Sequence, residues 1–281
     1  MTASSRQLMV IGAGTMGRGI SEVALRHGWR VHLVDPDAAQ RQSAQASIEK
    51  GLTRAASPEM LDPEWRRRLT VSADWDGIEP SWVIEAVPET MALKGPLFTR
   101  LDQEFGPEVW LASNTSSIAV TEIQGVARNF PERIGGLHFF NPVPRMALVE
   151  VIAGMATKAP YVAAAVELIR EWDKEPVVAP DRPGFLVNRV ARPYYLEALR
   201  MVDDGIVSLE TCDTIFEGVG FPMGPFRLMD LVGIDVNFAV TESVFTQTFY
   251  DARYRPHRLQ QQKIRLGQLG RKSGRGFYRY D

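Results

Sequence analysis

The 281-residue sequence predicts an α/β protein in which a mostly parallel sheet, covered by helices, is followed by a smaller all-helical C-terminal domain. Two observations support this prediction. Short apolar runs typical of buried strands alternate with stretches of helical spacing as far as Asp181, whereas only helical patterns separated by glycines follow. Three prolines mark the change: Pro176, Pro180 and Pro183. We therefore place a domain boundary there, between residues 1–180 and residues 181–281.

The first predicted strand leads into a glycine motif. Gln7–Ile11 runs directly into residues 12–17, with the sequence GAGTMG, and apolar residues then recur at helical spacing up to Gly28. When a strand continues through a G-x-G-x-x-G turn into a helix, the glycines permit a tight turn and let a pyrophosphate approach the helix N-terminus. Such turns also occur for structural reasons alone. The dinucleotide contacts predicted here are Gly12, Gly14, Thr15, Met16 and Gly17.

The second strand makes the glycine motif more specific. Val31–Val34 ends in Asp35, 18 positions after Gly17, where dinucleotide-binding proteins carry a carboxylate that accepts hydrogen bonds from the ribose hydroxyls. An acid at this position favours NAD, because it would repel the 2′-phosphate of NADP. The sequence therefore predicts a Rossmann-type domain that binds NAD.

The remaining elements follow from the same two periodicities. In the first domain, helices are predicted at residues 38–55, 58–69, 93–105, 120–126 and 160–172. The strands that alternate with them are predicted at residues 82–87, 109–112, 134–140, 149–153 and 177–179. In the second domain, helices are predicted at residues 185–202, 208–216, 225–231, 235–250 and 256–266. Because so small a helical domain exposes much aromatic and aliphatic surface, we expect a homodimer.

Several polar clusters in the first domain have two interpretations each. Glu89 and Lys94 follow a predicted strand and either line the cofactor crevice or form an ordinary ion pair in the first turn of a helix. Residues 113–117, with the sequence SNTSS, either cap the next helix or donate to a substrate oxygen, and both roles can hold together. The triplet Arg66–Arg68 is either a solvated helix face or a contact for the phosphates of a large substrate.

A histidine and a glutamate on two neighbouring predicted strands are candidates for catalysis. His138 ends an apolar run that enters a proline-flanked loop, and Glu150 follows twelve positions later in a second apolar run. Paired strands could set the carboxylate beside the imidazole and fix its tautomer, which is the arrangement of a general base and its partner. A lone histidine on an apolar strand is more often a core residue, so the decision depends on other motifs.

Composition excludes several classes of function. The formal net charge of −2 offers no basic surface for nucleic acid, and no lysine-rich amphipathic segment or long apolar run indicates a membrane partner. Cys212 is the only cysteine, which excludes an internal disulfide and a cysteine-based zinc site and is typical of a reducing compartment. Residues 1–6 form a polar tail without the apolar core of a signal peptide. We expect a cytoplasmic protein that binds neither nucleic acid, membrane nor metal.

Taken together, the motifs resemble the L-3-hydroxyacyl-CoA dehydrogenase family, and 3-hydroxybutyryl-CoA dehydrogenases in particular. Besides the glycine turn, the resemblance rests on NTSS at 114–117, HFFNP at 138–142, LVE at 148–150, GFLVNR at 184–189, GFPMGPF at 220–226 and GRKSGRGFY at 270–278. These motifs span nearly the whole chain. The resemblance implies NAD-dependent oxidation of a short L-3-hydroxyacyl-CoA to the 3-oxoacyl-CoA, in a homodimer formed through the helical domain.

The resemblance also implies roles for individual residues. It makes His138 the general base and Glu150 its partner, and it brings Ser116 and Asn188 to the reacting end of the acyl-CoA substrate. It places four residues around the cofactor: Glu89, Lys94, Asn114 and Asn141. The helical domain would supply the substrate cleft together with the dimer interface.

Two features depart from the family pattern. Family members place a serine and a lysine against the CoA nucleotide, where this chain has Gly51 and Pro58, and one extra residue lies in the loop before His138. The candidate substitutes for the CoA contacts are Lys50, Arg54 and Arg66–Arg68. The missing contacts favour an alternative, an NAD-dependent dehydrogenase of a non-CoA 3-hydroxy substrate such as carnitine or gulonate. A catalytically silent NAD-binding relative is a further alternative.

Overall fold

The computed structural model describes residues 6–55 and 64–280, and the chain divides into two compact units, Met1–Asp181 and Arg182–Asp281. The first unit contains one eight-stranded sheet. Its strands are β1 (Gln7–Ile11), β2 (Arg30–Val34), β3 (Leu69–Ser72), β4 (Trp82–Glu85), β5 (Trp110–Ser113), β6 (Ile134–Phe139), β7 (Leu148–Ala153) and β8 (Glu175–Pro180). Its helices are α1 (Thr15–Arg26), α2 (Ala38–Ala55), α3 (Trp65–Arg68), α4 (Met91–Glu104), α5 (Val120–Gln124) and α6 (Ala159–Glu171).

The strand order β3-β2-β1-β4-β5-β6-β7-β8 creates a switch point beside β1. Strands β1 to β6 run parallel, whereas β7 is antiparallel to β6 and parallel to β8. Because β2 and β4 flank β1 on opposite sides, the chain leaves the carboxyl ends of β1 and β4 in diverging directions. In open α/β sheets, ligands bind in the crevice that forms at such a point.

Both faces of the sheet are covered, which explains the continuous apolar strands. Successive residues of a strand point to opposite faces. Leu8 and Val10 accordingly belong to one buried cluster, with side chains of α1, α2 and α6, whereas Met9 and Ile11 belong to a second, with side chains of α4 and α5. The predicted fold class, a Rossmann-type sheet domain followed by helices, is confirmed.

One strand was not predicted from the sequence. The helix expected at residues 58–69 is represented by α3, of four residues, and the chain then continues as β3, while residues 56–63 lie outside the described part. β3 is a short edge strand whose residues are mostly half-buried, and its pairing with β2, from Val31 with Leu69 to Val34 with Ser72, defines it. Four residues are too few for a periodic signal, so tertiary pairing decides this segment.

The second unit consists of helices around its own core. They are α7 (Val187–Asp203), α8 (Leu209–Gly218), α9 (Pro225–Val232), α10 (Ile234–Gln247) and α11 (Arg258–Arg265). Among the described residues, no helix of either unit combines the length and apolar character needed to cross a membrane.

Two buried aspartates anchor the glycine-rich C-terminal segment of the second unit. Asp213 accepts a hydrogen bond from the Tyr278 hydroxyl (2.8 Å), and Asp230 accepts bonds from the Tyr278 backbone N–H and the Tyr280 hydroxyl, both 2.9 Å. A Cβ atom at Gly276 would overlap the Asp230 carboxylate. The glycines of the GRKSGRGFY motif thus let the chain approach a buried carboxylate closely.

Candidate active site

The glycine turn joins β1 to the N-terminus of α1. Gly12 has a φ of 105°, and a Cβ atom there would lie 2.6 Å from the Ala86 carbonyl oxygen, so only glycine fits this turn. At Gly14, the N-cap of α1, a Cβ atom would meet nothing within 4 Å. The described residues therefore leave open space directly at a helix N-terminus, where backbone N–H groups favour a phosphate.

Asp35 lies beside the glycine turn, as predicted. One of its carboxylate oxygens accepts a hydrogen bond from the Ala13 backbone N–H (2.8 Å), and the other accepts one from the Asp37 backbone N–H (2.9 Å). These bonds hold the carboxylate at the end of β2, next to the position that a dinucleotide would occupy. Thr15 and Met16 form the first turn of α1, and the half-buried Met16 packs against the core. The turn, the helix N-terminus and the acid together fit an NAD molecule.

His138 and Glu150 meet at the point predicted for them. They are directly opposite each other in the antiparallel β6–β7 pair, and His138 Nδ1 lies 2.5 Å from Glu150 Oε2. Both side chains are buried. A proton on Nδ1 satisfies this contact, which leaves Nε2 as the nitrogen that can accept another proton. The pair can therefore act as a base whose tautomer and orientation are fixed by a carboxylate.

The loop that follows β5 is held by Glu89. A single Glu89 oxygen accepts bonds from the Thr115 hydroxyl (2.6 Å) and from the backbone N–H groups of Ser116 (2.7 Å) and Ser117 (2.8 Å). Burial alone would raise the pKa of Glu89, but the nearby Lys94 ammonium and these bonds outweigh it and hold the pKa below its usual value. Glu89 is therefore ionised at neutral pH and organises the loop that contains Ser116.

Asn114 connects the same loop to the histidine strand. Its side-chain oxygen accepts a hydrogen bond from the Phe139 backbone N–H at 2.9 Å, one residue beyond His138. Asn141 follows in the exposed turn after β6, with a cis peptide bond to Pro142. Asn114 and Asn141 thus both lie near the carboxyl end of β6, and their contacts with the cofactor stay a prediction.

Sequence reasoning missed Glu85, the last residue of β4. Its side chain is 0% exposed, and it binds the Lys94 ammonium through both oxygens, at 2.6 and 2.7 Å. Lys94, 1% exposed, also lies 3.3 Å from Glu89. The ion pair that was one of the two interpretations of Glu89 and Lys94 is therefore present. Their contact with the cofactor stays a prediction. A glutamate that ends a buried strand was the available signal.

Asn188 lies in the second unit, in the first turn of α7. The chain enters this helix through Gly184 and Phe185, both with positive φ values, of 75° and 47°. Gly184 adopts this conformation without cost, whereas Phe185 bears backbone strain, and the two residues of the GFLVNR motif together set the start of α7. The role of Asn188 toward a substrate stays a prediction.

The region expected to contact the CoA nucleotide is packed against a carboxylate. A Cβ atom at Gly51 would overlap the Glu22 carboxylate, so a serine at this position would require the Glu22 side chain to move. Arg66 is paired with Glu49, and Arg67 is paired with Glu64 at 2.8 Å, so two cations of the triplet are already compensated. Pro58 lies outside the described residues.

The fold and the site together define a class, the nucleotide-binding dehydrogenases with a parallel sheet and a glycine turn. Comparison with known families makes this specific. Residues 7–182 match the family model described as 3-hydroxyacyl-CoA dehydrogenase, NAD binding domain, and residues 184–280 match the C-terminal domain of the same family. The chain belongs to the 3-hydroxyacyl-CoA dehydrogenase family. The predictions of the family and of NAD as its cofactor are confirmed.

Individual relatives agree with this assignment. The chain is 43% identical to the 3-hydroxyadipyl-CoA dehydrogenase of Escherichia coli, covering 99% of this chain and 60% of that protein. It is 38% identical to a 3-hydroxybutyryl-CoA dehydrogenase of Mycobacterium tuberculosis over the full length of both. The crystal structure of the (S)-3-hydroxybutyryl-CoA dehydrogenase from Ralstonia eutropha superposes with a TM-score of 0.93 at 37% identity, covering 98% and 99% of the two chains.

The position of Asp35 predicts cofactor selectivity. We expect the protein to use NAD in preference to NADP, because a fixed carboxylate at the ribose repels a 2′-phosphate. Asp35→Ala should raise the KM for NAD and narrow its advantage over NADP. Steady-state kinetics with both cofactors measures this, and equal use of both by the unmutated protein would contradict it.

Proposed function

We propose that this protein oxidises an L-3-hydroxyacyl-CoA of short chain, such as 3-hydroxybutyryl-CoA, to the 3-oxoacyl-CoA with NAD. The observation that carries the proposal is the buried His138–Glu150 pair, with 2.5 Å between Nδ1 and Oε2, at the end of a strand beside the dinucleotide crevice. The names of the relatives support the substrate class.

The histidine supplies the proton chemistry in this proposal. Bound NAD would accept a hydride from C3 of the substrate. His138 Nε2 takes the proton of the 3-hydroxyl group, and the Glu150 carboxylate stabilises the imidazolium that forms. In the reverse direction, the same nitrogen returns the proton to the oxygen. General-base assistance of this kind contributes about two to four orders of magnitude in rate.

Two further residues hold the substrate in the proposed mechanism. Ser116, in the loop fixed by Glu89, donates its hydroxyl hydrogen to a substrate oxygen, and Asn188 contributes its side-chain amide from α7. Their task is orientation of the reacting carbon, which is a large part of the advantage an enzyme has over solution.

Replacing the base tests the mechanism. His138→Gln should lower kcat by at least about a hundredfold with little loss of NADH binding, because a base acts in the transition state and adds little to cofactor affinity. Glu150→Gln should show the same pattern. Stopped-flow or steady-state kinetics gives kcat, and fluorescence titration gives the Kd of NADH. A kcat within about threefold of the unmutated protein would place the base elsewhere.

The end of the acyl chain is a separate question, because one relative is named for 3-hydroxyadipyl-CoA. Arg192, one helical turn after Asn188, is 4% exposed, and its described hydrogen-bond partners are neutral oxygens. The partners at 2.9 and 3.0 Å are the Asn237 carbonyl and the Thr241 hydroxyl. Burial lowers the pKa of Arg192 to about 10, so it stays charged at neutral pH. A dicarboxylic acyl chain would provide a counter-charge, so 3-hydroxyadipyl-CoA is the second candidate substrate.

A substrate panel tests these assignments. With NAD, short L-3-hydroxyacyl-CoAs should have higher kcat/KM than carnitine, gulonate or free 3-hydroxybutyrate. The D enantiomers should be inert, because their 3-hydroxyl group and C3 hydrogen cannot face His138 and the nicotinamide at the same time. Asn188→Ala should cost about 1 to 3 kcal/mol in kcat/KM for the thioester. Arg192→Met should lower kcat/KM for 3-hydroxyadipyl-CoA more than for 3-hydroxybutyryl-CoA.

Three outcomes of the panel would point elsewhere. A higher kcat/KM for carnitine or gulonate would overturn the CoA assignment. An Arg192→Met variant with an unchanged ratio between the two thioesters would remove the dicarboxylic candidate. A protein that binds NADH but does not oxidise it with acetoacetyl-CoA would be the silent relative.

We further propose a homodimer through the second unit. Twelve of the sixteen exposed large hydrophobic side chains in the described residues lie there, and the strongest examples are Val190, Ile206, Val219, Phe249 and Leu266. Apolar surface of this extent on a small helical unit is typical of an interface between copies.

Charged substitutions test the dimer. Ile206→Glu and Val219→Glu should each shift the protein toward the monomer, because a carboxylate would be buried in the interface. The matched control is Met155→Glu in the first unit, a side chain that is 90% exposed. Sedimentation velocity over a range of concentrations measures the mass. A monomeric unmutated protein would refute the proposal, as would dimers of unchanged stability in both variants.

A further inference from the structure

We propose that Glu89 is a positioning residue for the loop that follows β5 and contains Ser116, which we call the substrate loop. We also propose that the buried Glu85–Lys94 pair holds both Glu89 and the Ala86–Val87 turn, which packs on the glycine motif. The inference rests on the proposed function only in taking Ser116 as a substrate contact. It assigns Glu85, Lys94 and Glu89 a common task, which is to fix the cofactor side and the substrate side of the site relative to each other.

Glu85 is connected to both sides of the site. It accepts hydrogen bonds from the Val87 backbone N–H (2.7 Å) and from the Ser113 hydroxyl (2.6 Å). Val87 and its neighbour Ala86 pack directly against Gly12, where a Cβ atom would lie 2.6 Å from the Ala86 oxygen. Ser113 ends β5 and begins the loop that contains Ser116. One buried carboxylate therefore touches the turn beneath the glycine motif and the root of the substrate loop.

Lys94 carries the connection from Glu85 to Glu89. Its ammonium group has three N–H donors. Two point to the oxygens of Glu85, at 2.6 and 2.7 Å, and Glu89 Oε2 lies 3.3 Å away. At 1% exposure, the Lys94 ammonium lies between the carboxylates of Glu85 and Glu89. Lys94 therefore neutralises Glu85 and anchors one oxygen of Glu89.

The other carboxylate oxygen of Glu89 accepts hydrogen bonds from the substrate loop. It accepts bonds from the Thr115 hydroxyl, the Ser116 and Ser117 backbone N–H groups and the Ser117 hydroxyl, at 2.6, 2.7, 2.8 and 3.1 Å. This oxygen has no lone pair left for a ligand. Hydrogen bonds to a charged acceptor are about twice as strong as neutral ones, so the loop is held more firmly than its exposed position would allow.

The geometry predicts different consequences for the two sides. Glu89→Ala releases the Ser116 loop and leaves the Glu85–Lys94 pair intact, so kcat/KM for the acyl-CoA should fall at least about tenfold, and by a larger factor than the affinity for NADH. Glu89→Gln keeps an acceptor oxygen for the loop and should recover most of the loss. If Glu89 served the cofactor alone, Glu89→Ala would raise the Kd of NADH by at least the factor lost in kcat/KM.

Removing the buried pair should affect both sides. The double variant Glu85→Gln/Lys94→Met takes away both charges together, which avoids leaving one of them buried without its partner. It should raise the Kd of NADH and lower kcat/KM, because the Ala86–Val87 turn and the substrate loop both lose their anchor. Adding Glu89→Ala to this variant should lower kcat/KM by less than the product of the separate effects, since the residues act through one network.

The control is an exposed ion pair of the same unit, Glu132 with Lys158, whose charged atoms are 3.2 Å apart. The double variant Glu132→Gln/Lys158→Met should leave both constants unchanged. Hydrogen exchange provides a readout that does not depend on activity. In Glu89→Ala, the Ser116 and Ser117 amides should exchange at least about tenfold faster, whereas the amides of β4 should not change.

The outcomes separate this inference from the proposed function. Loss of amide protection in Glu89→Ala, in a protein that turns over no acyl-CoA, would support the positioning role and refute the proposed substrate. Unchanged protection at Ser116, or an increase in the Kd of NADH that exceeds the loss in kcat/KM, would overturn the positioning role. Should the Glu85→Gln/Lys94→Met variant fail to fold, Glu89→Ala and Glu89→Gln decide the question alone.

Discussion

The hydrogen bonds that align β1, β4, β5 and β6 side by side are the constraint on which the candidate site of the first unit depends. Parallel strands deliver their carboxyl ends to one edge of a sheet, so the residues that follow them meet although they are far apart in sequence. Gly12 follows β1, Glu89 follows β4 and Ser116 follows β5. His138 is next to last in β6. The antiparallel β7 then brings Glu150 back to this edge, directly opposite the histidine.

The site is built from three carboxylates with polar partners, of which Glu85 and Glu150 are buried and Glu89 is partly exposed. Glu85 accepts bonds from a lysine, a serine and a backbone N–H, and Glu89 accepts several from one loop. Glu150 faces His138. A buried charge without such partners would cost several kcal/mol or lose its ionisation. Each buried glutamate is therefore a fixed point for the chemistry, and loss of a single partner should affect geometry as well as stability.

The first unit departs from its family where the CoA nucleotide is expected. Gly51 packs against Glu22, and Arg26 binds both the Glu22 carboxylate and the Gly51 carbonyl oxygen. Burial raises the pKa of Glu22 despite the arginine beside it. A serine at position 51 would require this acid to move. Gly51, Glu22 and Arg26 thus form one packed contact between α1 and α2.

The sequence by itself determined the fold class, the glycine turn and Asp35, because each depends on local periodicity or on a motif of fixed spacing. It indicated the His138–Glu150 pair only through two neighbouring predicted strands and the resemblance to a family, and the pairing of β6 with β7 brought the two side chains together. The confirmed family follows from the order of those motifs. The tertiary structure alone decided β3, whose four residues become a strand only through pairing with β2, and it alone revealed Glu85. A glutamate at the end of an apolar run shows nothing of its partners, since Lys94, Ser113 and Val87 reach it only after three parts of the chain have packed together. Contacts between distant segments are set by packing, and periodicity within one segment cannot encode them.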